Sequence, residues 1–528
     1  MKNNLLREPP TGVRFVNRRS LPVWRASCRL AVVAVAGLAA AVLIATGTTG
    51  CADMSGIAPQ ASLRDASSLG LATSPSAIAS VDVSVDISAS WWRDFGDEQL
   101  NQAIAQALQT SPTLRMAQAR LARAQAVTEV ADAATLPQLS GQIDTTRQRY
   151  TANSAVPPPL AGSVRNSATA QLSAGWELDF FGKNRAALDA ALGSAHAAEA
   201  DAQAARVLLA SQVARTYFQL LRLNEQALVA RRTLAQREET LQLVQDRVNA
   251  GLDTRLELRQ SEGSLPEARL QLEAIQEQLA LTHHALAALT GQAADASALS
   301  PPNNRLQQAL PALSAVKQIA LATRIPADLL GRRADISAAR WRVEASSNDV
   351  VNAKTQFYPN VNLVAFTGFS SIGLNRLVDS GSQQWGVGPA LRLPIFDAGR
   401  LRANLRGKTA DLDAAVESYN SAVVDAVRDV ADQLTSMQAI SRQQVEQRAA
   451  QQAAEDAHDI AVQRYKAGLG NYLNVLTAET SVLVQRRQAV DLSARTLDTQ
   501  VALIRALGGG YRSGTAETLQ ATVSLPKK

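Results

Sequence analysis

The chain has 528 residues, with 53 Lys+Arg against 47 Asp+Glu and a formal net charge of +6. Seven of the basic residues and one acid lie within positions 1–50, so residues 51–528 carry 46 of each sign, and a basic nucleic-acid face is disfavoured. Aromatic residues are scarce, at 4%, which argues against several conventional cores, and two cysteines exclude a disulfide framework or a cysteine-rich metal site.

The basic stretch ends at Arg29, and Leu30 to Ile44 follow without a charge. Fifteen residues are short of the roughly 20 needed to span a bilayer but suit the core of a signal peptide. Thr48-Thr-Gly-Cys51 then resembles a bacterial lipobox, although Thr48 stands where Leu is usual. The resemblance implies that Cys51 takes diacylglyceryl and acyl groups and becomes the mature N-terminus. Ala52, in place of the Asp that marks inner-membrane retention, points outward by the same resemblance. Residues 1–50 are thus expected to be a signal peptide with a lipobox, and 51–90 a lipidated linker.

The remainder is one unit written twice. Pro137–Gly291 recurs as Pro359–Gly509, with Trp176–Arg185 set against Leu391–Arg400 and Arg247–Leu252 against Arg464–Leu469. This alignment pairs Arg185 with Arg400 and Gly291 with Gly509. It predicts a first unit over 91–291, a linker with an equatorial region and a helix over 292–358, a second unit over 359–509 and a tail over 510–528. A period near 220 residues is too long for a solenoid.

Each unit opens with alternation of period two, the mark of a strand with one apolar face. Leu139, Gly141 and Ile143 begin the first hairpin, and Ala168, Ala170, Leu172, Ala174, Trp176, Leu178 and Phe180 line its return strand. The second unit repeats this with Val361, Leu363, Ala365, Thr367 and Phe369, then Trp385, Val387, Pro389, Leu391, Leu393 and Ile395. Strands of about ten residues suit tilted β-structure in a bilayer; soluble hairpins packed on helices would carry the same pattern.

Proline-free stretches follow, Lys183–Ala250 and Asp397–Ala467, each ended by a glycine. A helix of this length reaches about 100 Å at 1.5 Å per residue. Val213, Leu220, Ala227, Leu234, Leu241 and Val248 recur every seven residues, a coiled-coil-like seam. Its counterpart thins to Gln444, Gln451, His458 and Tyr465. Return helices are predicted at Thr254–Thr290 and Asn471–Leu507, the first containing Pro266. Four strands cannot close a membrane barrel, and open edges in lipid cost several kcal/mol per unpaired group. Membrane strands would therefore require several chains, most simply in a ring.

Gly175-Trp-Glu-Leu-Asp179, Phe181-Gly-Lys183, Ile325–Ile336 (IPADLLGRRADI), Phe357-Tyr-Pro-Asn360 and Leu393–Arg400 (LPIFDAGR), in this order behind a lipobox, resemble the TolC-like outer-membrane factors. The likeness is to the lipoprotein branch serving resistance-nodulation-division efflux. It implies a mainly α fold with a membrane β-barrel part, in which a homotrimer builds a twelve-stranded barrel over an α-helical tunnel. It also implies an exit duct for small toxic compounds in the outer membrane of a Gram-negative bacterium. The partners implied are outer-membrane lipid, a periplasmic adaptor and an inner-membrane pump, with no nucleic acid. By the same resemblance the adaptor docks at the turns Ala250-Gly251-Leu252 and Ala467-Gly468-Leu469. The resting constriction maps to Leu473, Asn474 and Thr477, with Leu256 and Glu257 as first-unit counterparts; Asn474 and Thr477 stand where the family has aspartates.

No catalytic constellation or metal-ligand spacing occurs, and neighbouring His283 and His284 point about 100° apart on a helix. No enzyme activity, metal or cofactor is expected beyond the lipid on Cys51. Two rivals stay open on the sequence: a type I secretion duct, and a lipid-anchored periplasmic coiled-coil scaffold with no pore.

Overall fold

In the computed structural model, residues 54–64, 87–153, 157–292, 310–319 and 331–512 are described. The leader, Cys51 and the Ile325–Leu330 part of the family block lie outside them. After a 3-10 turn at Trp91–Phe95 the first unit contains helix α1 (Glu98–Thr110), helix α2 (Pro112–Ala133), strands β1 (Gln138–Arg149) and β2 (Val164–Leu178), and helices α3 (Lys183–Asn249) and α4 (Arg255–Leu289). The second unit contains α5 (Ala334–Thr355), β3 (Asn360–Ile372), β4 (Gln383–Arg392), α6 (Arg400–Lys466) and α7 (Tyr472–Ala506).

Local chemistry sets these boundaries. The Asp97 carboxylate accepts the Gln99 and Leu100 N–H groups at the head of α1, and Pro112 opens α2, where its missing N–H costs nothing. Gly182 and Gly399, at φ 76° and 83°, cap the two long helices in the left-handed region. Both long helices have 67 residues and both returns have 35. Lys183 is therefore equivalent to Arg400, and Arg185 is not. The loop before α3 runs over 179–182 and the loop before α6 over 393–399, and that length difference displaces an alignment carried down from the strands. At the far end, left-handed Gly291 matches Gly508, one residue earlier than the sequence alignment placed it. Helices α2 and α5 both have 22 residues and precede the strands, so the second unit begins inside the segment read as linker.

The sheet is antiparallel in the order β1-β2-β3-β4, and β2 pairs with β3 across the two units. The register collects the apolar positions on one face: Leu139 and Ile143, Leu172 and Trp176, Leu363 and Phe369, Trp385 and Val387. Ile143, Leu139 and Trp385 are 81%, 73% and 74% exposed there. The opposite face is knitted by polar groups, with Gln384 donating to Gln171 at 3.2 Å and Gln171 to Ser173 at 2.8 Å. Phe180, Leu393 and Ile395 lie beyond the strands, contrary to the alternation: Asp179 turns inward to accept the Arg185 N–H, and Pro394 has no N–H for the ladder. Among the described residues no helix is long and apolar enough to cross a membrane.

Next to the sheet, α2, α3, α5 and α6 lie side by side; farther away α4 and α7 take the places of α2 and α5. The short helices meet nearly end to end. Thr110 Oγ1 donates to the Thr290 carbonyl at 2.5 Å, and Arg333 donates to the Ala506 carbonyl at 3.1 Å. A Cβ on Gly291 would lie 2.9 Å from Thr110 Oγ1, so the close junction as well as the turn requires glycine. Beside it Trp91, Phe95, Tyr217 and Phe218 belong to the largest buried cluster among the described residues.

The seam of α3 is heptad-like only at first. Val213, Leu220 and Ala227 are buried, but Leu234 and Leu241 are not, and burial moves to Ala230, Arg237 and Val244. A straight helix drifts about 20° per heptad, so the buried stripe steps to a neighbouring row. The thinned seam of α6 is bonded through its polar groups: Gln444 donates to Thr496 Oγ1 at 3.0 Å and the neighbouring Gln447 to the Gln485 carbonyl at 2.7 Å.

Candidate functional site at the hairpin tips

Both helical hairpins turn on the same motif. The Leu252 N–H bonds back to the Arg247 carbonyl at 2.9 Å and the Gly251 N–H to Val248 at 3.0 Å. Leu469 to Arg464 at 2.8 Å and Gly468 to Tyr465 at 3.0 Å repeat it. This Schellman cap, with Gly251 and Gly468 at φ 72° and 74°, satisfies those carbonyls within the chain. The glycine stop therefore does not hold them open for a partner. What the turns present outward is apolar, since Leu252 and Leu469 are 66% and 70% exposed.

The two tips are locked to one another. Arg247 Nε and Nη2 donate to the two oxygens of Asp253 at 2.9 and 3.3 Å, and the Tyr465 hydroxyl donates to Asp253 Oδ2. The Arg247 guanidinium also lies over the Tyr465 ring, 4.6 Å from its centroid. Side-chain exposures of 12% and 9% make Arg247–Asp253 a buried ion pair, resting on Tyr465, Tyr472, Val244 and Val475. Burial pushes the Asp253 carboxyl up, but bonds from Arg247 and Tyr465 and the guanidinium charge outweigh it and leave it below its ordinary value. Burial and the neighbouring carboxylate push the Tyr465 phenol up.

Above the lock a second buried pair joins the hairpins. Arg237 on α3 lies 3.4 Å from Glu479 on α7 and donates to the Ser264 carbonyl on α4 at 2.7 Å. Burial raises the Glu479 carboxyl pKa, only partly offset by the charges of Arg237 and His458. Still higher, Arg215 holds Asp498 at 2.5 and 3.1 Å, and Gln226 and Arg222 reach Asp491. A ladder of polar side chains thus runs from α3 to α7 down to the tip.

At the other end residues 54–64 form an extended strap along α6. Gln60 and Ala61 N–H groups bond to Asp413, and Asn420 takes the Arg64 N–H at 2.9 Å while donating to the Ser62 carbonyl at 3.0 Å. Met54 and Ile57 pack on Val350, Phe357, Leu401 and Leu405, just below the sheet.

A family profile for outer membrane efflux proteins matches residues 103–292 and 325–509, one stretch per repeat. The chain belongs to the outer membrane efflux protein family. Multidrug resistance outer membrane protein MdtQ of Escherichia coli O157:H7 is 33% identical over 437 residues, 80% of this chain and 88% of that protein. Fusaric acid resistance protein FusA of Burkholderia cepacia is 36% identical over 403 residues, covering 74% and 70%. The solved structure of the outer membrane protein VceC from Vibrio cholerae matches with a TM-score of 0.74 at 38% identity, over 81% of this chain and 100% of that one. The fold is TolC-like, and the protein is an outer-membrane exit duct for efflux in a Gram-negative cell.

Within this efflux-family fold the residues expected at the constriction from the sequence fall where the hairpins end. Leu256 and Leu473 are exposed on the first turns of α4 and α7. Asn474 contributes its N–H to the Asn471 cap at 3.2 Å, and Thr477 spends its hydroxyl on the Leu473 carbonyl at 2.8 Å. Glu257 closes a capping box, accepting the Thr254 N–H at 3.0 Å. Bonds from the Thr254 side chain and nearby backbone hold its carboxyl below the usual value, so it stays ionised at neutral pH. The sequence reading missed Asp253 and gave Tyr465 no role. Their signal was a departure from the repeat: Tyr465 replaces Val248, and Gly470 replaces Asp253, at the constant offset of the helices.

Proposed function

We propose that three copies form a closed duct, joining β1 of one chain to β4 of the next in a twelve-stranded barrel with the helices continuing as a tunnel. The carrying observation is the sheet itself: β1 and β4 are open edges, and Leu139, Ile143, Leu172, Trp176, Trp385 and Val387 stand exposed on one face. In lipid an unpaired edge costs several kcal/mol per group, and closure removes it. Pairing of copies outside the membrane would leave that apolar face in water. The solutes are small toxic compounds, a reading supported by relatives named for multidrug and fusaric acid resistance. The duct is a passive transporter with no catalytic step, supplied by an inner-membrane pump through a periplasmic adaptor. The adaptor docks on Leu252 and Leu469 beside Ala250-Gly251 and Ala467-Gly468. Channel recordings in planar bilayers, together with a heat-sensitive trimer band on gels, test this; a folded protein that neither conducts nor forms the band refutes it.

At the tips, Leu256, Leu473, Asn474 and Thr477 narrow the resting duct, and three Glu257 carboxylates make it prefer cations. Reversal potentials in a salt gradient check this, since Glu257→Gln should move the preference toward zero. Cys51 carries the lipid: the strap brings Met54, three residues on, to the helix ends below the sheet, which is where an acylated residue would reach the inner leaflet.

A further inference from the structure

Between the foot of the sheet and the heads of the long helices lies a cavity of about 410 Å³. Arg392 ends β4 and Arg400 begins α6, and both line it together with Lys183, Asn360, Phe181 and Tyr358. Phe181 and Tyr358 are stacked, with centroids 4.9 Å apart and planes 11° apart. The cationic groups differ in what they already hold. Lys183 is paired with Glu177 at 2.7 Å, whereas neither Arg392 nor Arg400 has an ion-pair partner among the described residues. The other acid at the wall, Asp179, accepts the Arg185 N–H. Asn360 Oδ1 is buried with no hydrogen-bond partner.

On the exit-duct reading the cavity lies on the lumen side, because it opens on the polar face of the sheet. Arg392 lies opposite Asn360 in the sheet register, on the polar face with Gln384. Arg400 precedes Asn420 by 20 residues, about 160° around the helix at 3.6 residues per turn, so it lies away from the strap that Asn420 holds. A solute moving along the lumen therefore passes two unpaired guanidinium groups beside an aromatic platform.

We infer that this cavity is a transit site for anionic aromatic solutes, an inference that rests on the exit-duct reading. The guanidinium groups take the carboxylate or sulfonate through charge-assisted bonds, and the Phe181–Tyr358 pair takes the ring. Asn360 Oδ1 accepts from a ring hydroxyl or N–H. The volume lies within the range of small-molecule sites, while the openness of the site to solvent keeps binding weak enough for release.

The test uses the purified full-length protein in detergent, titrated with 3-hydroxy-2-naphthoate and followed by naphthyl fluorescence. Saturable binding is expected, at least about tenfold weaker for the neutral methyl ester and for the Arg392→Gln/Arg400→Gln double variant. Asn360→Asp places a negative charge at the wall without removing an arginine, and should weaken binding of the acid by a similar factor. Equal affinity for acid and ester, or unchanged binding in a folded variant, overturns the proposal. Wild-type protein that conducts in bilayers but does not bind the acid overturns this site and leaves the duct standing; wild-type protein that neither conducts nor forms the heat-sensitive trimer overturns the duct, and this inference with it.

Discussion

The hydroxyl of Tyr465 and the carboxylate of Asp253 meet across the two helical hairpins, and Arg247 holds the same carboxylate from the other side. The hairpin ends cannot part without breaking these bonds. Tyr465→Phe removes one hydrogen bond, worth about 1–2 kcal/mol, whereas Asp253→Ala strands a buried guanidinium and should loosen the tips by about 3–5 kcal/mol. Single-channel conductance should rise in both, and more in Asp253→Ala. A closed-state conductance unchanged in Asp253→Ala would show that the lock does not hold the duct shut.

The two buried carboxylates should respond to acid in opposite senses. Asp253 sits below its unfolded value of about 3.9, so its contribution is full above that pH and is lost as pH falls through the depressed folded value. The tip lock should therefore survive at pH 5. Glu479 is raised above its unfolded value of about 4.3, so its contribution is full below that pH and is lost as pH rises through the raised folded value. The melting temperature of wild type minus that of Glu479→Gln should become more positive between about pH 7.5 and about pH 4.5. A flat difference would mean that Glu479 does not titrate in the folded protein over this range.

What the sequence made legible was local. Gly251 and Gly468 marked helix ends because a left-handed cap needs them, and alternation at Ala168–Trp176 marked a strand face because side chains alternate about a sheet. The seam of α3 was misjudged beyond Ala227, since a seven-residue count ignores the drift of a 3.6-residue helix. The lock was invisible for a different reason. Asp253 and Tyr465 are 212 residues apart, and only the side-by-side placement of the hairpins unites them. Arg392 and Arg400 likewise come together only because residues 393–399 bring the end of β4 and the head of α6 to one cavity with Asn360.

The sheet offers a test with an internal control. A Cβ on Gly386 would lie 2.7 Å from the Phe366 ring, while one on Gly388, two residues along the same face, would meet nothing within 4 Å. Gly386→Val should sharply reduce the heat-sensitive trimer band, because the ring has to leave its place over the glycine. Gly388→Ala should leave the band within error of wild type. Equal assembly in both would show that the Phe366–Gly386 contact does not constrain the barrel.

The strap and the lipid proposed on Cys51 can be told apart as determinants of anchoring. Asn420, buried on α6, bonds to the strap backbone on both sides, at Arg64 and at Ser62. Asn420→Ala removes both hydrogen bonds, worth about 1 kcal/mol each, so proteolysis within 54–64 should accelerate about tenfold. Cys51→Ala leaves every one of these bonds in place and should change membrane retention while the strap stays protected. If the acyl chain instead holds the strap down, Cys51→Ala will expose 54–64 to protease as strongly as Asn420→Ala does. Limited proteolysis of the two variants side by side, with carbonate extraction of the membranes, distinguishes a strap docked by its own hydrogen bonds from one tethered by lipid.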